Sequence, residues 1–123
     1  MEKISKSIYI YGLYCPFTLE LKYIGKTACK NLKIRLWGHM AENKWYRTVK
    51  HDNPKQLWIE ELYNQNTRPE IKLISVHPLQ ESNYWEKYWV YFYNREGKLL
   101  NLKHNIHIKR LHKNPPNVYR SKT

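Results

Sequence analysis

The chain has 123 residues, 41% of them hydrophobic, which suits one domain with an ordinary core and is too short for two. Lys and Arg number 22 against 10 Asp and Glu, and the resulting formal charge of +12 favours a polyanionic partner, nucleic acid first, through steering and counterion release. No apolar run approaches the ~18 residues of a membrane span and no apolar signal core follows Met1, so a cytoplasmic protein without a membrane partner is expected.

In chain order, residues 8–14 and 19–25 are rich in β-branched and aromatic side chains and are separated by Cys-Pro-Phe-Thr, which predicts two antiparallel strands of a hairpin. A turn centred near Phe17 sets Tyr11 opposite Tyr23. Alternation gives Tyr9, Tyr11 and Leu13 one face and Ile8 and Ile10 the other, so both faces are covered and the strand is interior. Residues 31–43 follow with Leu32, Leu36 and Met40 at helical spacing. A second helix starts after Asn53-Pro54, where Asn caps and Pro suits the first turn, and runs through Leu57, Trp58, Ile59 and Leu62 to about Gln65.

Pro69 breaks helical geometry, and residues 70–76 read as a third strand. Ser82 or Asn83 is then placed to cap a third helix that carries Trp85, Tyr88, Trp89, Val90 and Phe92 and ends at Gly97. Residues 99–102 return to the core. The remainder, 104–123, loses periodicity and reads as a basic tail, with 1–103 as the domain. The order is α+β: a small, largely antiparallel sheet, made of the hairpin and a third strand, flanked by helices.

The cations are segregated. Residues 21–41 hold Lys22, Lys26, Lys30, Lys33 and Arg35 without an acid, and residues 97–123 hold seven basic side chains, again without one. Lys22, Lys30, Lys33, Lys103, Lys109, Arg110 and Lys113 are therefore candidates for phosphate contact. Cys15 and Cys29 are too few and too far apart for a zinc knuckle or a disulfide framework and are read as packing residues. His104, His107 and His112 fit no standard zinc spacing.

Arg35 and His39 lie four apart, so one helix face presents both toward a cleft beside the Leu32, Leu36, Met40 stripe. Glu86 is the only acid between Asn83 and Asn94, on a helix otherwise packed with Tyr and Trp, where a carboxylate is costly unless a cation meets it. Mg²⁺ answers that need, and so does a paired lysine.

Taken in order, Tyr9-Ile10-Tyr11, Tyr23-Ile24-Gly25, Arg35 with His39, Glu86 and Asn101 resemble the successive motifs of the GIY-YIG endonuclease family, over roughly residues 8–103. Two departures stand out: Tyr9 occupies the position of the family's first glycine, and Leu102-Lys103-His104 replaces the Gly-Gly that often follows the terminal asparagine. The resemblance implies a small stand-alone endonuclease that hydrolyses DNA phosphodiester bonds to 5′-phosphate and 3′-hydroxyl ends. It implies one Mg²⁺, with Mn²⁺ as a substitute, held by Glu86. It implies Tyr11 as general base, helped by nearby cations, with Tyr23 and His39 positioning, Lys26 and Arg35 on phosphate charge, and Asn101 orienting the site. Lys26 is the local cation that the sequence offers to Tyr11. The alternative is a non-catalytic module that binds DNA or RNA in the same basic groove. Whether copies pair into a homodimer or higher oligomer, or a separate partner supplies specificity, stays open.

Overall fold

The computed structural model describes residues 6–94 and 97–101, so the predicted tail and Lys103, Lys109, Arg110 and Lys113 lie outside the described residues. Strand β1 (Ser7–Tyr14) and strand β2 (Leu21–Thr27) form the expected hairpin, and β3 (Glu70–Pro78) pairs antiparallel on the other side of β1. The sheet order is β2-β1-β3, which makes β1 the interior strand. Helices α1 (Leu32–Tyr46), α2 (Pro54–Asn64) and α3 (Ser82–Tyr93) flank it, giving the α+β layout.

The register differs from the symmetrical turn. Tyr11 pairs with Gly25, and Tyr23 pairs with Leu13, because β2 begins two residues later than its composition suggests and a bulge intervenes between Leu13 and Tyr14. Tyr11 and Tyr23 are thus diagonal neighbours on one face rather than directly opposed. A second irregularity falls between Ile10 and Tyr11 on the β3 side, where Ser75 and Leu73 are the partners and Ile74 is left over.

Each face of β1 builds its own core. Tyr11 and Leu13 pack with Leu36 of α1 and Trp58, Ile59 and Leu62 of α2. Ile10 and Ile24 pack with Val90 of α3, flanked by Trp85, Trp89 and Leu99. Leu57, counted in the α2 run, points outward and is exposed.

Helix starts follow local chemistry. Asn31 Oδ1 accepts the Lys33 N–H, and Asn53 Oδ1 accepts those of Lys55 and Gln56 with Pro54 next in line. α3 departs from expectation: neither Ser82 nor Asn83 caps it. A 3-10 turn over Leu79–Glu81 leads straight in, Glu81 occupies the cap position without a side-chain capping bond, its carboxylate accepting from Trp85 Nε1, and Asn83 turns to Lys26 instead. The helix also ends earlier, at Tyr93. Gly97 then supplies a left-handed residue, φ +69, in the turn that sends Leu99 and Leu100 back to the two cores. No helix among the described residues is long and apolar enough to cross a membrane.

Candidate active site

Tyr11 sits at the centre of the first core with no exposed surface. Its ring lies over Gly25, where a Cβ would stand 2.5 Å from Tyr11 Cζ, so glycine in β2 is what lets the phenol cross the hairpin. The phenolic oxygen is 2.6 Å from His39 Nε2 and accepts from Arg35 Nε at 3.1 Å. Arg35 and His39, one helical turn apart on α1, therefore converge on a single oxygen. Tyr23 meets His39 edge-on, ring centroids 5.8 Å apart.

His39 does not line an open cleft; it is wholly buried behind the hairpin tyrosines. Burial, then the charges of Lys55 and Arg35, lowers its pKa from the usual 6.5 to about 3, so the imidazole is neutral at physiological pH. Tyr11 moves the other way. Burial raises its phenol well above 10 and outweighs the opposing pull of Arg35. The sequence-based expectation that neighbouring cations favour a phenolate is thus reversed in the isolated protein, because the low-polarity core disfavours a buried anion more than one guanidinium favours it. Tyr23 is raised by burial and then by the charge of Glu86.

The cation on Tyr11 is Arg35, not Lys26. Lys26, on β2, lies 3.5 Å from Glu86 Oε1 of α3 and also donates to Asn83 Oδ1. The lone carboxylate of α3 is therefore met by a lysine, and both side chains are partly exposed. Glu86 remains close enough to the hairpin for its charge to raise Tyr11 and Tyr23. Asn101 is further back: its Oδ1 accepts the Ile24 N–H at 3.1 Å and its Nδ2 donates to the Ile24 carbonyl at 2.8 Å. It tethers the returning chain to β2, next to Tyr23, through the Ile24 backbone.

Comparison with family models, with curated proteins and with solved structures returned no match.

Two residues that no motif marked belong to this constellation. Lys55, in the first turn of α2, places Nζ 3.3 Å from His39 Nδ1, 3.5 Å from Glu42 Oε1 and 4.7 Å from the centre of the Tyr23 ring. Asn83 holds Lys26. Nothing local in the sequence links either to the hairpin, although a lysine at a helix N-terminus, where the dipole opposes it, is a weak sign.

Among the described residues, the basic candidates Lys22, Lys30 and Lys33 border two different hollows. Lys22 is within 3.8 Å of Glu20 and borders a hollow against Leu57, Trp58 and Leu100. Lys30 and Lys33 border a groove of about 800 Å³ between α1 and the start of β3, with exposed Trp37 and with Arg68. Neither hollow is lined by Tyr11, Arg35, His39 or Glu86. Among the described residues no group of three or more His, Cys, Asp or Glu is arranged to hold a metal.

Proposed function

We propose that this chain is a divalent-metal-dependent DNA endonuclease of GIY-YIG type, with Tyr11 as the base that takes the proton of the attacking water. The supporting observation is the convergence of Arg35 Nε and His39 Nε2 on the Tyr11 oxygen, beside the Glu86–Lys26 pair. A buried phenol needs hydrogen-bond partners even when neutral, but a charged guanidinium aimed at its oxygen serves most when that oxygen takes on charge.

The donor set fits Mg²⁺, which takes one or two carboxylates and completes its shell with waters and substrate phosphate, and Glu86 is a lone, partly exposed carboxylate. When bound there, the ion supplies Lewis-acid charge for the phosphoryl oxygen and the departing 3′ oxygen. The chain's own residues do the rest. Lys26, released from Glu86, turns its ammonium to the phosphate. Arg35, already donating to Tyr11, has further N–H groups for a phosphoryl oxygen. Tyr23, packed edge-on against His39, would hold the attacking water for Tyr11. Tyr11, once its own proton has left to solvent, accepts the water proton as a phenolate while the P–O bond to water forms and the bond to the 3′ oxygen breaks, and that oxygen takes a proton from solvent to give the 3′-hydroxyl.

One observation favours a second reading, a module that binds nucleic acid without cutting it: Glu86 is already neutralised by Lys26. Supercoiled plasmid separates the two. The nuclease nicks it with Mg²⁺ and not with chelator, and Glu86→Ala loses nicking by at least a hundredfold while keeping DNA affinity. Gel retardation without nicking by the unaltered protein supports the module.

A further inference from the structure

Lys55 reaches the Tyr11 oxygen through His39 and also lies over the Tyr23 ring. An ammonium carries three donors and no lone pair, so a ring nitrogen 3.3 Å from Lys55 Nζ is favoured in its bare, accepting form. A neutral imidazole bare at Nδ1 carries its proton on Nε2. That nitrogen is the one 2.6 Å from the Tyr11 oxygen, where Arg35 Nε already donates.

We infer that Lys55 is a positioning residue that holds His39 in its Nε2–H tautomer, so that the Tyr11 oxygen receives two N–H donors. This deepens the nuclease reading and rests on it for its catalytic consequence. In the opposite tautomer Nε2 would accept the Tyr11 proton and keep it inside the core. With Nε2–H donating, the phenol's own proton is directed away from His39 and the phenolate, once formed, is met by two donors. Tyr11 first loses its own proton to solvent; throughout the step that follows His39 and Lys55 keep their protons, the water proton ends on the Tyr11 phenolate, and the electron pair of the broken bond leaves on the 3′ oxygen, which takes a proton from solvent.

The surroundings suit that role. Glu42, on α1, faces Lys55 at 3.5 Å and favours its charge, the Tyr23 ring on β2 lies 4.7 Å from it, and Arg35 adds a like charge from α1. Burial acts against the ammonium, and Glu42 opposes it. Burial also keeps His39 from becoming an imidazolium, which would protonate both nitrogens and erase the choice. Asn53 fixes the backbone beneath Lys55 by accepting its N–H at 3.1 Å.

The test is the tautomer itself. In ¹⁵N-histidine-labelled protein, long-range ¹H–¹⁵N correlations of His39 at neutral pH are expected to show a protonated Nε2 and a bare Nδ1. Lys55→Met should move the population to Nδ1–H, and Lys55→Arg should restore Nε2–H. A wild-type spectrum with Nδ1–H overturns the inference without any variant, as does an unchanged Nε2–H in folded Lys55→Met. On plasmid, Lys55→Met should lower kcat on the order of 100-fold with little change in KM and shift the pH–rate profile to higher pH, and Lys55→Arg should recover both. The spectrum requires no cleavage. A protein that shows the tautomer switch but never nicks DNA refutes the nuclease reading and leaves the Lys55–His39 coupling standing; nicking with no switch refutes the coupling alone.

Discussion

A buried phenol beside a guanidinium is in conflict with itself: the core holds the proton on Tyr11, and Arg35 pulls it off. Burial wins in the isolated protein, so with Tyr11 as the proposed base, nicking activity should climb with pH. The rate is expected to rise about tenfold per pH unit from pH 6 to 9, as the phenolate fraction does, and Tyr11→Phe should remove both the activity and the slope. A flat profile across that range would assign the base elsewhere. His39 makes an opposite and purely structural prediction. Its folded pKa, about 3, lies below its unfolded value of about 6.5, so between these values the unfolded chain binds the extra proton and stability falls as pH falls. One such proton contributes a slope of up to about 1.4 kcal/mol per pH unit. His39→Gln should flatten the acid side of the stability curve, measured by urea unfolding from pH 7 to 4, by up to that amount. Gly25→Ala tests the hairpin crossing: the new methyl must displace the Tyr11 ring, at a cost of about 1–3 kcal/mol in the same unfolding experiment and with loss of nicking.

At the scale of elements, what the chain spells out locally was legible and what depends on pairing was not. Asn53-Pro54 announces α2 because its cap uses only its own backbone, and Asn53→Ala should cost about 1 kcal/mol while loosening Lys55. Differential unfolding checks the first effect, and the His39 tautomer the second. The interior position of β1 was also readable, since apolar side chains on both its faces demand cover from both. The hairpin register was not. The later start of β2 and the bulge at Leu13/Tyr14 leave no compositional trace, so Tyr11 came to lie over Gly25 rather than against Tyr23, while the bulge at Ile10/Tyr11 shifts only the pairing with β3. Among the candidate residues, Arg35 and His39 were readable as a pair because helix periodicity alone puts them together. Lys55 was not, because it reaches His39 from another helix, and Lys26 was misdirected toward Tyr11 because its partner Glu86 is sixty positions away in sequence.

Over the whole molecule the +12 charge is not a uniform coat but an arrangement with internal neutralisation. Lys22 and Lys98 both approach Glu20, Lys26 approaches Glu86 and Lys55 approaches Glu42, so part of the positive charge is occupied within the fold. Lys30 and Lys33 are exposed on the flank of α1, next to Trp37 and Arg68, with Glu70 as the one acid of that groove. If DNA lies along this flank, each lysine that neutralises a phosphate releases counterions and contributes about 0.9 to the slope of log affinity against log salt. Lys30→Ala and Lys33→Ala are each expected to lower the slope by about that amount on duplexes of any sequence. Lys22→Ala should change it much less, because Glu20 already competes for that ammonium. Fluorescence anisotropy titrations at several salt concentrations make the comparison. Equal effects from all three lysines would mean that net charge alone governs association and that the α1 flank has no special part in it.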